Sequence, residues 1–312
     1  MTILRYHGFN NWQTYKEQGE DLDKAFTFGF ELEVTINDSS NATKTPEELA
    51  TCLKSKFGDM FVYERDGSIG NGVEIISNPM TWKYFINHLD LFKDLLKTCI
   101  DSGFDSHNGN CCGLHVHIGR KALNGLDYQN YQIMESKVIA NMNFILEWFQ
   151  EDIFKFSRRT IRSFQHWANP RTERTTVRVG ERETEFINKD RIKHINSYDT
   201  CGRYYMLNLS NSKTVEFRFL RGTLKWETFF ISMNFIKNIV VQSRISNNAI
   251  TFENLVMNDL DNEMKDYAKS YCELRSIDLE HDEKIIFLED VKRTHYHQII
   301  NEIDLANDIL GA

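Results

Sequence analysis

Proline is nearly absent: 3 residues in 312, which excludes a proline-rich linker. No glycine/serine tract, low-complexity run or short repeat divides the chain either. The six cysteines (Cys52, Cys99, Cys111, Cys112, Cys201, Cys272) form no CxxC pair. They read as reduced thiols rather than a disulfide framework. An excess of positive charge is also missing, since 37 Lys and Arg face 45 Asp and Glu for a net charge of -8. Neither nucleic acid nor an anionic membrane surface is therefore an expected partner. No uncharged apolar run approaches the ~18 residues that span a bilayer. The opening residues carry no basic region followed by an apolar run, so no secretory signal and a cytoplasmic setting are expected.

What remains is ordinary globular composition, 41% hydrophobic and 26% charged. The length suits one large domain or two tightly joined ones. Alternation predicts strands over Phe26–Ile36 and Gly113–Ile118, and a hairpin of Met60–Glu64 with Val73–Ser77 around DGSIGNG. A second hairpin is predicted for Arg203–Leu209 with Thr214–Leu220, turning at Ser210–Lys213, and a turn cluster at Asp105–Asn110. Helical signals cover Pro46–Phe57, Thr81–Asp101, Asp127–Phe156 and Lys225–Ile245, and most of Phe252–Leu310. The stripe Tyr131, Met134, Val138, Met142, Ile145, Phe149, Ile153 is core packing. Between Ser157 and Asp199 periodicity fades and arginines accumulate. This excursion, with room for a hairpin, reads equally as a lid or acidic-substrate grip and as a solvated basic loop. The expected class is α+β with much antiparallel pairing. Residues 1–245 form the main domain and 246–312 a helical extension packed on it.

Side chains two apart on a strand share a face. Glu31 and Glu33 therefore lie together, opposite Phe30, Leu32 and Val34, and His115 and His117 oppose Leu114, Val116 and Ile118. Glu216 and Arg218 oppose Val215, Phe217 and Phe219, and Glu74 sits between Val73 and Ile75. Paired into one sheet, these strands make one greasy face and one of carboxylates, imidazoles and guanidinium. Clustered carboxylates repel, and divalent cations relieve that cost. Oxygen donors suit Mg²⁺ or Mn²⁺, and an imidazole among them tilts toward Mn²⁺. The pattern is one for metal-bound polyphosphate.

The ordered runs FGFELEV, DGSIGNGVEIISNP, NGNCCGLHVHIG and RYYMLNLSNSKTVEFRFLRGT resemble the amidoligase family of phages and bacteria. That family lies within the superfamily of glutamine synthetase and glutamate–cysteine ligase. The resemblance spans residues 28 to 223 and leaves out the C-terminal helices and most of the Arg-rich excursion. It implies a glutamine synthetase-like half-barrel of antiparallel strands backed by helices, and a phage or bacterial source. It also implies an ATP-dependent carboxylate–amine ligase that works through an acyl phosphate. Its substrates would be a small-molecule or peptide carboxylate and an amine, a protein end included. By the same resemblance Glu31, Glu216 and one histidine, His115 in preference, would hold one metal ion. Glu33, Asp66 and Glu74 would hold a second, with Glu64 the alternative to Asp66. His117 would meet the ATP phosphates, Arg218 phosphate or the substrate carboxylate, with Arg203 and Arg221 as further candidates, and Asn208 would position substrate. No glycine-rich phosphate cradle of the P-loop kind occurs, so ATP would rest on metals, arginines and the sheet.

Three rivals remain. Cys111, Cys112, His115 and His117 have zinc-ligand chemistry but lack a CxxC pair. Guanidino kinases share the implied fold and transfer phosphate without forming an amide. A phage-encoded inhibitor of a host protein would need no catalysis, but its decay should have broken the charged set.

Overall fold

The computed structural model describes residues 3–5, 8–9, 11–36, 42–107, 112–123, 131–168, 174–179, 182–187, 203–244, 249–279 and 284–286. Its main sheet contains β1 (Leu4–Arg5), β2 (Thr27–Thr35), β3 (Phe61–Arg65), β4 (Gly72–Ser77), β5 (Met80–Thr81), β6 (Gly113–Gly119), β9 (Leu207–Asn208) and β10 (Thr214–Arg221). The order is β1-β3-β4-β2-β6-β10-β9, with β5 also on β2, and the sheet is curved and unclosed. All pairings are antiparallel except β1 on β3, so the sheet is mixed where a purely antiparallel one is expected. Two residues of β1 are too short to carry a period-2 signal.

The alternation works as anticipated. Phe28, Phe30, Leu32 and Val34 of β2, Leu114, Val116 and Ile118 of β6, and Val215, Phe217 and Phe219 of β10 are buried on the face that helices cover. Those helices include α1 (Pro46–Phe57), α2 (Trp82–Asn87), α3 (Leu89–Asp101), α4 (Tyr131–Trp148), α5 (Gln150–Ser157) and α7 (Trp226–Arg244). The Phe30 ring lies 5.2 Å from Phe229 of α7 and 6.2 Å from Phe92 of α3. Each such buried phenylalanine contributes about 1.5–3 kcal/mol relative to an exposed one. α1 begins where its sequence says it should. Thr45 and Glu48 cap each other reciprocally, with Pro46 as the first helical residue.

Two predicted helices are broken. Thr81–Asp101 divides at His88, whose ring Nδ1 takes the Tyr84 carbonyl at 2.8 Å and stacks on the Tyr84 ring at 4.0 Å. That side chain satisfies the acceptor which the interrupted ladder leaves open. Asp127–Phe156 divides at Phe149, with φ -93° and ψ 27°, although Phe149 and Ile153 keep their i−4 hydrogen bonds. Its residues 127–130 lie outside the described residues.

The excursion after Ser157 is less irregular than its sequence suggests. Arg158, in the left-handed region at φ 61°, ends α5. α6 (Ile161–Trp167) follows, capped by Thr160, and then a separate hairpin of β7 (Arg174–Val179) and β8 (Arg182–Ile187). α6 escapes detection because, of its seven residues, Phe164 alone is buried. The predicted arm Arg203–Leu209 shrinks to the two residues of β9.

Beyond α7 come β11 (Ala249–Thr251), α8 (Phe252–Met257), α9 (Asn262–Glu273) and β12 (Lys284–Ile286). The β11–β12 pair falls in an extension expected to be mostly helical. Residues 287–312, also expected to be helical, lie outside the described residues. α8 joins the core through Phe252, 5.4 Å from Phe235, and α9 through Tyr271, whose hydroxyl donates to the Phe156 carbonyl at 2.7 Å. One continuous buried cluster thus runs from Ile3 to Ile277. No described helix is long and apolar enough to cross a membrane.

Candidate active site

The polar face of the sheet gathers its charge by register. Glu31 stands directly opposite His115, Glu33 opposite Glu74, and Glu216 opposite both His117 and Asn208. Asp66 joins from the β3–β4 loop, where its carboxylate accepts the Ser68 N–H at 2.7 Å and so fixes a short turn. Three overlapping sets have ligand atoms within 4.8 Å of one another: Glu33, Asp66 and Glu74; Glu31, His117 and Glu216; and Glu31, Glu74 and His115. The first set has the membership expected from sequence. In the second, His117 closes a set that was expected to take His115 by preference. His115 stays close, its Nδ1 3.2 Å from Glu31 and 3.6 Å from Glu216.

A β-bulge in β10 adjoins this arrangement. Phe217 pairs with Val116 and Leu220 with Leu114, so Arg218 and Phe219 together face the single residue His115. The bulge is held by Arg159, a residue that sequence reasoning overlooked. Its Nε donates to the Phe219 carbonyl, its Nη2 to the Arg218 carbonyl and its Nη1 to Ser163 Oγ, each at 3.1 Å. Gly113 makes room for it. A Cβ there would stand 2.8 Å from both Arg159 Nη2 and His115 Nε2. The sign in the sequence is placement: Arg159 closely follows the apolar end of α5, whereas the described neighbours Arg158 and Arg162 are more exposed.

The remaining candidates are distributed as follows. Asn208 donates to Glu216 at 2.6 Å, so it orients a carboxylate. Arg218 pairs with the other oxygen of Glu216, and its buried Nε has no hydrogen-bond partner among the described residues. Arg221 donates to the carbonyls of Arg158 and His107, toward the far end of β10. Arg203 is exposed and stacks on Tyr204. Glu64 is buried opposite Glu74. Of the zinc rival, Cys111 lies outside the described residues, and no three-residue donor set with a cysteine occurs among them.

Such crowding shifts protonation. Burial, and then the charges of Glu31, Glu33, Asp66 and Glu64, push the Glu74 carboxyl up to about 10. Burial likewise raises Glu33, although His115, the Gly113 N–H and Arg159 pull the other way. Burial would raise Glu31 too, but His117 and His115 outweigh it and hold Glu31 well below the usual range. For His117, burial lowers the value, but Glu31 and Glu216 prevail and raise it to about 9. A proton on Glu74 and a charged His117 thus balance the carboxylates. His117 Nε2 comes within 2.9 Å of Glu31 yet lacks the alignment of a hydrogen bond. Divalent cations fit this donor set of carboxylate oxygens and imidazole nitrogen, and would replace those protons.

A model of the family described as "Putative amidoligase enzyme" matches residues 59–240, more than half of the chain. The match takes in Asp66, Glu74, His115, His117, Glu216 and Arg218, while β2 with Glu31 and Glu33 precedes it. No curated protein matches. Among solved structures, the chain is similar to a bifunctional glutathione synthetase from Pasteurella multocida, at 11% identity and a TM-score of 0.37, over 93% of this chain and 45% of that one. The chain therefore spans less than half the length of that protein. By its family match, this chain belongs to the amidoligase family.

Proposed function

We propose that this protein is an ATP-dependent carboxylate–amine ligase with a glutamine synthetase-like catalytic fold, acting through an acyl phosphate at a site for two or more Mg²⁺ or Mn²⁺ ions. The observation that carries the reading is the overlap of three carboxylate and imidazole sets on one face of the sheet. Membership of the amidoligase family supports it.

Glu33, Asp66 and Glu74 would hold one cation, and Glu31, Glu216 and His117 another, with His115 between them through Glu31 and Glu74. Cations held there would supply positive charge that offsets the charge of phosphoryl transfer. The chain's own residues then position and neutralise. Asn208 fixes one oxygen of Glu216 and leaves the other to Arg218 or a cation. Arg218 directs its unpartnered Nε at an anionic oxygen of phosphate or substrate, and the low local dielectric strengthens that contact. In the reaction, the γ-phosphoryl group passes from ATP to a carboxylate oxygen and ADP leaves. An amine nitrogen then attacks the acyl carbon, the bond to the phosphate-bearing oxygen breaks, and phosphate departs as the nitrogen loses a proton. Residues 1–245 would serve as the catalytic unit, with the chain beyond packed against it.

The test is a hydroxylamine trap. The protein is incubated with ATP, Mg²⁺ or Mn²⁺ and a panel of amino acids and peptides. A carboxylate that stimulates ADP release is expected to yield its hydroxamate in the same pot. ADP release matched by a stable phosphoguanidine, with no hydroxamate, would replace the ligase reading with a phosphotransferase.

A further inference from the structure

A second charged cluster lies beyond the acidic face, and it is positive. Arg221, at the end of β10, pairs in register with Gly113, whose N–H donates to the Glu33 carboxylate. Arg221 and Arg158 lock each other: Arg158 Nη2 donates to the Arg221 carbonyl at 3.0 Å, and Arg221 Nη1 to the Arg158 carbonyl at 3.2 Å. Arg158 Nη1 also lies 2.9 Å from Nδ1 of His107. Arg275, just past α9, stacks on Tyr271 at 3.6 Å and gives only one Nη to a carbonyl, that of Tyr271. Lys225 stands over the neighbouring Tyr267 ring at 4.6 Å.

Among the described residues, no carboxylate forms an ion pair with Arg158, Arg221, Arg275 or Lys225. Elsewhere this acidic chain does pair its surface cations, as in Lys56 with Asp94 and Lys97 with Asp101. The cluster's own repulsion is visible at His107, which burial and then Arg158, Arg221 and Arg275 press below the ordinary histidine range against the opposing charge of Asp105. Three half-buried guanidiniums with no carboxylate ion pair among the described residues, two of them fixed by reciprocal backbone bonds and all with donors to spare, are arranged for an external oxyanion.

We propose that Arg158, Arg221 and Arg275 form an oxyanion subsite that holds a second anionic group of the acid substrate, distinct from the carboxylate that reacts. The proposal rests on the ligase reading for the word substrate, and on geometry alone for the subsite. Arg275 and Tyr271 lie after residue 240, where the family match ends. The acid would carry a carboxylate or phosphate beyond its reacting group.

The experiment is calorimetric titration of the full chain in EDTA at constant ionic strength, with glutarate, inorganic phosphate and acetate as probes. Wild type, Arg275→Gln, Arg221→Gln and the remote Lys97→Gln are compared, and each variant's melting point is checked. Glutarate or phosphate is expected to bind more tightly than acetate and to weaken about tenfold in Arg275→Gln and Arg221→Gln, the size of one lost charge-assisted hydrogen bond. Lys97→Gln should bind like wild type. The arm that responds, glutarate or phosphate, tells which group the subsite takes. No binding to wild type, or an equal loss in Lys97→Gln, overturns the proposal. So does an Arg275→Gln variant that binds Mg²⁺–ATP less tightly while glutarate and phosphate are unaffected, because the cluster would then serve the nucleotide. A protein that binds glutarate through Arg275 but never binds Mg²⁺–ATP would keep the subsite and discard the ligase reading.

Discussion

Glu74→Gln is expected to lose Mg²⁺- and Mn²⁺-dependent binding of ATP while folding as well as wild type without metal. Glu74 belongs to two of the three donor sets. Removing a ligand shared between neighbouring cations should weaken metal binding on the order of 100-fold or more, since even supporting partners of ligands are worth about 10–100-fold. The fold is spared because the metal-free carboxyl, pushed up to about 10, is already protonated at neutral pH. Glutamine has nearly the same shape and the same neutral charge. The sign with pH follows. A carboxyl raised in the folded state binds more protons there than in the unfolded chain. It therefore draws stability down as pH climbs from its ordinary 4.5 toward about 10. In EDTA, wild type should lose melting temperature across that window faster than Glu74→Gln. Parallel pH profiles would show that the Glu74 carboxyl is not raised, and retained metal binding in the variant would show that Glu74 is no ligand.

Arg159→Met should be the most damaging single change away from the carboxylates. The substitution strips donors from two buried carbonyls and from Ser163, and each unsatisfied buried polar group costs about 1–3 kcal/mol. A methionine of similar length returns some packing, so a net loss of about 3 kcal/mol is expected. The carbonyls concerned are those of the bulge, so the loss should bring a change in site geometry. Urea unfolding measures the first effect. Metal-dependent ATP binding by the surviving folded protein measures the second, and should fall further than in an equally destabilised core variant such as Leu32→Ala. Unchanged stability would mean that the bulge holds itself.

Much of this molecule is written plainly in its alternation. Four strands place their ionisable groups on one face, and the apolar residues of β2, β6 and β10 are buried on the other, although Glu33, His115 and Glu216 are buried as well. Registration between strands is harder to read. One extra residue at Arg218–Phe219 shifts the pairing of β10 with β6 by one position, and local sequence does not announce a bulge that an arginine distant in the chain stabilises. Arg159 stayed hidden for the same reason: in a run of arginines, burial is decided by tertiary contacts. The breaks at His88 and Phe149 were invisible because the apolar spacing continues through both. The polar face, then, was legible as chemistry, while its partition into donor sets required the fold.

The central claim is that nucleotide binds through cations on this face. Its most direct test is thermal unfolding of wild type and Glu216→Gln with and without ATP, in Mg²⁺, Mn²⁺ and EDTA. A ligand at one hundred times its Kd adds about 2.7 kcal/mol, which for a chain of this size moves the melting point by about 5 °C or more. The account predicts that shift for wild type with ATP and either metal, none in EDTA, and none for Glu216→Gln under any condition. An ATP shift that survives in EDTA, or that Glu216→Gln shares in full, would contradict it.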